Sequence, residues 1–326
     1  MKVIIPAAGT GSRLRPHTYT TPKTLLHVAG RPILAYLLDV LVELPNLSEF
    51  IFIVGDSGDC IRKYVETNYD LSATYIRQDE QRGLGHAISL AEGRVNGEPV
   101  LIVLDDGILE VDPQQIIQSP VAIIGVKEVE NPSAFGIVEM EGEFITRLIE
   151  KPEHPPTNLA IAGMYYIPNS DLLFRCLDEL IQKDIRTKNE YQLTDGLQLM
   201  LQYGEKMKIA RINWLDGGKP DALLETNRYL LGKQPQNYQL PDVVIIPPVF
   251  IADDAVIQHA VIGPYASIGK GAQVINAIVK DSVIHPYADI RNVLISSSLI
   301  GESAKVYGHF HRLNIGNSSQ IELIDQ

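Results

Sequence analysis

The amino-acid sequence predicts an α/β domain built on a mainly parallel sheet, followed by a parallel β-helix. Strand-length apolar runs alternate with a helical pattern in the first part of the 326 residues, and aliphatic residues recur every five or six positions in the last part. The hydrophobic share of 45% and the charged share of 21% are those of an ordinary globular protein. Because the two patterns meet near residue 235, we predict domains over 1–234 and 242–326.

The runs KVIIPA, FIFIVG, PVLIVLDD and VAIIGV are rich in β-branched residues and have the length of strands. Between the first two, RPILAYLLDVLVEL carries apolar residues at helical spacing. Strand, helix and strand in repetition predict βαβ units with a Rossmann-like topology. Ligands bind beyond the carboxyl ends of the strands in such sheets, so we expect the site in the loops that follow these runs.

The last part of the chain has the hexapeptide pattern of a β-helix, in which each aliphatic residue points inward and small residues occupy the corners. Eleven inward positions, enough for about three to four coils, are predicted: Ile251, Ile257, Ile262, Ile268, Val274, Val279, Ile284, Ile290, Ile295, Ile300 and Val306.

The formal net charge of −12 argues against a nucleic-acid or anionic-membrane partner, since both favour a basic surface. Cys60 and Cys176 are too few for a disulfide framework and do not have metal-ligand spacing. No run approaches the roughly 20 apolar residues of a membrane span, and MKVIIPAAG is interpreted as a strand rather than a signal peptide. We therefore expect a cytoplasmic protein that acts on small molecules.

The segment PAAGTGSRLRP places a glycine-rich loop directly after the first predicted strand. Backbone N–H groups of Ala8, Gly9 and Gly11 in such a loop can face phosphate oxygens, and Arg13 can bind phosphate with two hydrogen bonds. Lys23, ten residues further on, can meet the same phosphates. The alternative is a tight turn with solvated cations, since the loop is neither a Walker A motif nor GxGxxG.

The stretch AAGTGSRLRPHTYTTPKTLLHVAGRPIL resembles the signature of the sugar-1-phosphate nucleotidylyltransferases. Further landmarks of that family follow in order along nearly the whole chain: GLGHAISLAEG, FGIVE, EKPEHPP, AGMYYI, LTDGLQ, WLDGGKPDALLETNR and VIGPYASIG. Long forms of glucose-1-phosphate thymidylyltransferase, which carry a left-handed β-helix, match best. The resemblance implies that a nucleoside triphosphate, dTTP or UTP, reacts with a sugar 1-phosphate, glucose 1-phosphate being favoured, and that pyrophosphate is released.

The resemblance also implies roles for individual residues at the nucleotide. Arg13 corresponds to the arginine that acts at the α-phosphoryl group, and Lys23 to the lysine on the triphosphate. Gln78 and Gly83, in QDEQRGLGHA, correspond to the residues that read the base.

Two aspartates correspond to the family's metal ligands, Asp106 after LIVL and Asp216 in WLDGGKP, which implies Mg²⁺ as the cofactor. Carboxylates at two separate strand ends can hold this ion between them. Two alternatives stay open: both aspartates can be turn residues, and Asp105 can equally be the ligand.

For the sugar, the resemblance implies contacts from Gly136, Glu150 and Gly163, with Lys151 on the sugar phosphate. The attacking phosphate is already an anion, so the reaction needs no general base. We expect catalysis by positioning and electrostatic stabilisation.

Three positions depart from the family pattern. Asp105-Asp106-Gly107 stands where Gly-Asp-Asn is usual, and the added carboxylate is expected to change metal affinity. Ala7-Ala8 is more typical of uridylyltransferases than of thymidylyltransferases, which leaves the base open. Asn189-Glu190 replaces Gly-Glu before LTD, which leaves the sugar open.

The β-helix is expected to mediate assembly into a homo-oligomer or to hold a regulatory contact, since its open ends and flat faces are docking surfaces. Two further functions stay open. The chain can be a non-catalytic regulatory or assembly subunit, or a bifunctional enzyme whose β-helix also transfers an acyl group.

Overall fold

The computed structural model describes residues 1–233 and 236–309. The chain divides into two compact units, Met1–Thr226 and Asn227–Gln326. In chain order, the strands of the first unit are β1 (Lys2–Ala7), β2 (His27–Val28), β3 (Arg31–Pro32), β4 (Glu49–Val54), β5 (Ala73–Arg77), β6 (Val100–Val103), β7 (Gly107–Glu110), β8 (Ala122–Glu128), β9 (Gly136–Glu141), β10 (Phe144–Glu150), β11 (Leu159–Ile167), β12 (Met207–Arg211) and β13 (Asn213–Asp216).

The α-helices are α1 (Ile33–Leu41), α2 (Gly58–Asn68), α3 (Leu84–Ser89), α4 (Glu92–Val95), α5 (Pro113–Ile116), α6 (Ser170–Gln182), α7 (Leu193–Gln202) and α8 (Pro220–Lys233). Short 3₁₀ turns cover Ser12–Leu14, His17–Tyr19, Lys23–Leu25 and Pro132–Ala134. Within the described part of the chain, none of the helices has the length and apolar character needed to cross a membrane.

The main sheet of the first unit has nine strands, in the order β10-β9-β11-β6-β1-β4-β5, and β8 pairs with β11 and β12. Strands β6, β1, β4 and β5 are parallel, which confirms the predicted α/β architecture. Around β11 the pairing is antiparallel instead. Strands β9 and β10 follow one another directly, and so short a connection allows only the antiparallel pairing that they make.

The parallel strands carry their apolar side chains to both faces of the sheet. Val3 and Ile5 of β1 pack on one face with Leu34 and Leu37 of α1, whereas Ile4 packs on the other face with the helices after β11. Since β1, β5 and β6 run in the same direction, the loops that follow them meet at one edge of the sheet. This edge is where the sequence predicts the site.

The second unit contains three parallel four-stranded sheets. Its strands are β14 (Val243–Ile245), β15 (Val249–Ile251), β16 (Val256–Gln258), β17 (Ala260–Ile262), β18 (Ala266–Ile268), β19 (Gln273–Ile275), β20 (Ile278–Lys280), β21 (Val283–Ile284), β22 (Asp289–Arg291), β23 (Leu294–Ser296), β24 (Leu299–Ile300) and β25 (Lys305–Tyr307). Each strand pairs with the third strand after it, giving β14-β17-β20-β23, β15-β18-β21-β24 and β16-β19-β22-β25. This is the topology of the predicted left-handed β-helix.

All eleven predicted inward positions belong to the core of this β-helix. Eight of them are buried, and Ile257, Ile300 and Val306 are partly buried against the same cluster. Ile300 and Val306 lie in the last described coil, where no further coil is seen to cover them.

The β15-β18-β21-β24 sheet makes polar contacts with residues of α8 that belong to the same unit. Asn227 is fully buried, accepts a hydrogen bond from Ser267 Oγ at 2.6 Å and donates one to the carbonyl of Tyr265 at 3.1 Å. Arg228 donates to Asp281 at 2.7 Å. These contacts join the end of α8 to the second and third coils.

We predict that Val274→Ala lowers the free energy of unfolding by about 2 kcal/mol, because two buried carbons are lost and a cavity remains. Val274 is fully buried in β19. Val256→Ala is the matched control, since Val256 lies on the preceding strand of the same sheet and is 42% exposed. Chemical unfolding followed by circular dichroism tests this, and equal losses in the two variants would contradict the inward assignment.

Candidate active site

The glycine-rich loop begins where β1 ends and turns sharply at Gly11. Gly11 has φ 61°, and a side chain there would come within 2.9 Å of Thr18. Its carbonyl accepts hydrogen bonds from the backbone N–H of Leu14 at 2.9 Å and from Thr18 Oγ1 at 2.8 Å. Leu14 is fully buried and anchors the turn, so the neighbouring Arg13 is held on the exposed side.

Lys23 joins this loop to the end of β6. Its Nζ lies 2.9 Å from Oδ1 of Asp105 and 3.4 Å from Oδ2 of Asp106. Its side chain is also within 3.7 Å of the point where a Cβ on Gly9 would stand. Burial alone would lower the pKa of Lys23, but the charges of Asp105 and Asp106 outweigh this effect and raise it, so the lysine is charged.

Asp105 and Asp106 have different environments. The side chain of Asp105 is 4% exposed and pairs with Lys23, and burial raises the pKa of its carboxyl against the lowering effect of that lysine. The side chain of Asp106 is 28% exposed. Asp105 therefore neutralises Lys23, whereas Asp106 is the carboxylate that a ligand can reach.

Asp216 is brought next to Asp106 by the antiparallel pairing of β7 with β13, in which Gly107 is opposite Asp216. The N–H of Gly217 donates to the carbonyl of Asp106 at 2.7 Å. The N–H of Gly218 donates to Oδ1 of Asp216 at 2.7 Å. These hydrogen bonds hold the two aspartates at one turn.

Three charged groups converge at Gly218. A Cβ on Gly218 would lie 3.1 Å from Oδ1 of Asp216, 3.7 Å from Nη2 of Arg13 and 3.9 Å from Oδ2 of Asp106. The two carboxylate oxygens are thus at most about 7 Å apart, the sum of the first and last of these distances. Glycine leaves this space open.

The carboxylate pair suits a hard cation that takes most of its ligands from elsewhere. Mg²⁺ prefers oxygen ligands, keeps several waters and is usually held by one or two carboxylates together with substrate phosphates. Residues 1–233 and 236–309 contain no group of three or more His, Cys, Asp or Glu side chains placed to hold a metal by themselves. Asp106 and Asp216 therefore fit a magnesium ion that is completed by phosphate and water.

Trp214 explains the unusual Gly107. A Cβ on Gly107 would lie 2.3 Å from the indole ring, and one on Gly163 would lie 3.1 Å from it. Gly163 has φ 68° and interrupts the regular pairing of β11, where its carbonyl accepts from the N–H of Leu104 at 2.8 Å. The indole thus packs over both glycines, and an asparagine at 107 would not fit beneath it.

A cleft of about 270 Å³ adjoins the glycine-rich loop. It is lined by predicted nucleotide contacts and by the predicted metal ligand Asp106, the former being Ala8, Gly9, Lys23, Gln78 and Gly83 but not Gly11. Gln81 and Glu190 also line it and were not predicted. Gln81 donates to the carbonyl of Ala8 at 2.8 Å. Glu190 reaches the cleft from a distant part of the chain, whereas the sequence marked Asn189-Glu190 only as a departure that bears on the sugar.

Gly83 lets two chain segments approach closely on one side of this cleft. It has φ 112°, and a Cβ there would lie 2.6 Å from the carbonyl oxygen of Tyr191. The N–H of Gly85 donates to that oxygen at 2.8 Å, and the N–H of Tyr191 donates to the carbonyl of Arg82 at 2.9 Å. The loop that carries Gln78 and Gly83 is therefore held by backbone hydrogen bonds.

A larger and more open depression of about 440 Å³ lies between α4 and α6. Its lining is mainly acidic, with Glu92, Asp171, Asp178 and Glu179. Such a surface repels phosphate, so it is a poorer candidate for a phosphate-containing ligand than the smaller cleft.

Three of the four predicted sugar residues, Gly136, Glu150 and Lys151, meet at the ends of β9 and β10, whereas Gly163 lies in β11 beneath Trp214. Gly136 and Glu150 are paired across these strands, and Thr194 Oγ1 donates to Oε2 of Glu150 at 2.6 Å. A Cβ on Gly136 would lie 2.9 Å from each of these two oxygens. Lys151 has φ 42° and its Nζ is 3.2 Å from Oε1 of Glu150, with the side chain 43% exposed. Sequence reasoning missed Thr194, although it lies in the recognised LTD landmark.

Comparison with known proteins gives consistent matches. Residues 2–233 match the model of the protein family described as nucleotidyl transferase. The low-salt glycan biosynthesis nucleotidyltransferase Agl11 of Haloferax volcanii is 31% identical, over 99% of this chain and 100% of the relative. The glucose-1-phosphate thymidylyltransferase of Streptomyces antibioticus is 26% identical over 99% of each chain.

Among solved structures, a UDP-glucose pyrophosphorylase complexed with UDP-glucose is similar with a TM-score of 0.63 and 25% identity. The similarity covers 72% of this chain and 99% of that one. These matches confirm the resemblance and the α/β fold predicted from the sequence.

We predict that Gly107→Ala lowers the free energy of unfolding by about 2 kcal/mol, because the methyl group collides with the indole of Trp214. In a Trp214→Leu background the cost of Gly107→Ala should fall below about 1 kcal/mol, since the obstacle is gone. Thermal unfolding of the wild type, the two single variants and the double variant measures this difference in cost.

Gly93→Ala is the control for this cycle, because a Cβ on Gly93 meets no atom within 4 Å. A Gly107→Ala cost that does not depend on residue 214 would contradict the packing explanation.

Proposed function

We propose, since this chain belongs to the nucleotidyl transferase family, that it joins UTP or dTTP to a sugar 1-phosphate and releases pyrophosphate. Glucose 1-phosphate is the favoured sugar substrate, in keeping with the names of the similar Streptomyces antibioticus and UDP-glucose pyrophosphorylase proteins. We assign this reaction to residues 1–234.

The observation that carries the proposal is that Arg13, Asp106 and Asp216 converge at Gly218, while Lys23 lies against Asp106 in the adjoining cleft. These residues come from separate turns, yet two cations and two carboxylates lie close together. A triphosphate needs both: cations that bind its oxygens, and carboxylates that hold the cation it carries.

In the proposed reaction the base lies in the cleft between Gln78 and Gly83, and the N–H groups of Ala8, Gly9 and Gly11 face the phosphates. Lys23 binds the triphosphate, and Arg13 stabilises charge at the α-phosphorus. The nucleophile is a phosphate oxygen that is already negative, so no residue removes a proton. The chain acts by orienting two anions against each other and by neutralising their repulsion.

Asp106 and Asp216 would hold Mg²⁺, which when bound supplies positive charge next to the α-phosphate. Asp105 serves a different purpose in this proposal: it keeps Lys23 charged and in place. The extra carboxylate of the Asp105-Asp106-Gly107 segment thus balances a cation and adds no metal ligand.

On the sugar side, Glu150 accepts hydrogen bonds from sugar hydroxyls, and Gly136 and Gly163 bring the main chain close to the sugar ring. Lys151 binds the sugar phosphate. Its ammonium group lies next to Glu150. The dipeptide Glu150-Lys151 therefore contacts both the hydroxyls and the phosphate of the same substrate.

Assembly is assigned to residues 242–326. An outward row of aliphatic side chains runs in register across β14, β17, β20 and β23, formed by Val244, Val261, Ile278 and Leu294. The last of these is 63% exposed. Such a row supports a homo-oligomer built through the β-helix. The oligomeric state and the cytoplasmic location stay predictions.

We predict that Asp106→Asn and Asp216→Asn each lower kcat by about 100-fold or more, because each removes a charged ligand of the cation. The measurement is pyrophosphate release with Mg²⁺, glucose 1-phosphate and each of UTP, dTTP, ATP, GTP and CTP. Asp59→Asn is the matched control, since Asp59 is exposed in α2. Full activity in either site variant would contradict the metal assignment.

The same assay separates the other functions. Wild-type protein that releases no pyrophosphate with any triphosphate and several sugar phosphates would favour the non-catalytic subunit. Consumption of acetyl-CoA in the presence of glucosamine 1-phosphate would indicate the added acyltransferase activity.

We predict that Gly136→Ala raises the KM for the sugar 1-phosphate by about 10-fold and leaves the KM for the nucleotide unchanged. The added methyl group displaces Glu150 and Thr194 and breaks their hydrogen bond. Gly93→Ala is again the control. An equal rise in both KM values would contradict a role confined to the sugar.

A further inference from the structure

We propose that His86 orients the side-chain amide of Gln78, so that this amide presents its oxygen, a hydrogen-bond acceptor, to the base. This orientation selects a pyrimidine whose N3 carries a hydrogen, uracil or thymine, over cytosine. The inference rests on the proposed function and names His86 as a positioning residue for base selection.

The amide of Gln78 is held on one side by two neighbours. Its side chain is nearly buried, and its backbone N–H donates to the carbonyl of Val54 at 2.9 Å. The Nε2 atom lies 3.3 Å from the carbonyl oxygen of Gly83 and 3.0 Å from Nδ1 of His86. A carbonyl oxygen can only accept, so the amide must turn its NH₂ group towards Gly83.

This assignment determines the state of the histidine. With Nε2 of Gln78 as the donor, Nδ1 of His86 must accept, which requires a neutral ring with its hydrogen on Nε2. Burial, together with the charge of Arg82, lowers the pKa of His86 and favours that neutral form. The helix α3 carries the ring, and Ser89 Oγ donates to the carbonyl of His86 at 2.9 Å.

Both hydrogens of the Gln78 amide are then engaged, and Oε1 is the atom that remains for a ligand. Gln78 lines the cleft. Its Oε1 atom has no hydrogen-bond partner among the described residues, and this atom is not fully buried. It is therefore open to solvent in the cleft.

The acceptor Oε1 of Gln78 distinguishes pyrimidines by whether their N3 carries a hydrogen. Uracil and thymine have a hydrogen on N3 and can donate to Oε1. Cytosine has a bare nitrogen there, which would face Oε1 acceptor to acceptor. A site built to accept a hydrogen bond rejects a ligand that lacks the donor, because a polar atom would be left unpaired. The sugar of the nucleotide is not involved, so UTP and dTTP are both accepted.

The test compares His86→Leu with His86→Asn, two side chains of similar size. Oδ1 of asparagine, like Nδ1 of histidine, is bonded to Cγ, so it can accept a hydrogen bond from Nε2 of Gln78. Leucine has no acceptor. The quantity measured is the ratio of kcat/KM for UTP to kcat/KM for CTP in the full-length protein. We expect leucine to lower this ratio by about 10-fold and asparagine to keep it within about 3-fold of wild type.

A double-mutant cycle supplies the second measurement. In a Gln78→Leu background, His86→Leu should leave the ratio unchanged, since no amide remains to orient. The KM for glucose 1-phosphate should be the same in all variants. Ser89→Ala is the control on the same helix, and His86→Ala replaces the leucine variant if that fails to fold.

An unchanged ratio in His86→Leu, or an equal drop in the leucine and asparagine variants, would overturn the role of His86. Wild-type protein that turns over neither UTP nor dTTP would refute the proposed function itself. The two failures are distinguishable, because the first is read only in variants that still use UTP.

Discussion

The candidate site depends above all on the antiparallel pairing of β7 with β13. This short ladder joins segments more than one hundred residues apart and sets Gly107 opposite Asp216. The hydrogen bond from Gly217 to the carbonyl of Asp106 continues it by one step. Without this pairing, Asp106, which precedes β7, and Asp216, which ends β13, would not lie side by side. With it, both carboxylates border the space at Gly218, which Arg13 reaches from the glycine-rich loop.

The packing of Trp214 depends on the same ladder. Its indole covers Gly107 of β7 and Gly163 of β11, which belong to different sheets. The ring therefore links the turn that carries Asp106 and Asp216 to β11. Two glycines are required because an aromatic ring of this size fills the volume that their side chains would occupy.

Electrostatic balance within the site is local and does not follow from the overall charge of −12. Lys23 is paired mainly with the buried Asp105, an arrangement in which each partner compensates the desolvation of the other. Asp106 and Arg13 stay accessible beside this pair. The cation Lys23 is thus held in position by the buried carboxylate of Asp105, whatever the overall charge of the protein.

Much of the fold and part of the site follow from sequence alone. Apolar periodicity reports burial directly, which is why the strands β1, β4, β6 and β8 and all eleven inward positions of the β-helix were predictable. Parallel strands bring their carboxyl ends together, so the meeting of Ala8 and Asp106 was also predictable from local pattern. Gln78 follows β5, which was not predicted, and was assigned by the family resemblance. The family resemblance then supplied the roles of Arg13, Lys23 and Asp216, which local pattern alone left as one of two alternatives.

Other features were decided only by the tertiary structure. The different environments of Asp105 and Asp106 depend on where Lys23 lies. The adjacency of the two aspartates in the sequence does not indicate which of them pairs with the lysine. The contacts of Glu190 with the cleft, of Thr194 with Glu150 and of Trp214 with Gly107 all join distant segments. The orientation of the Gln78 amide depends on two atoms contributed by Gly83 and His86. Local sequence encodes which side of a strand is buried, whereas the partner of each polar atom is set by the register between segments that only the folded chain brings together.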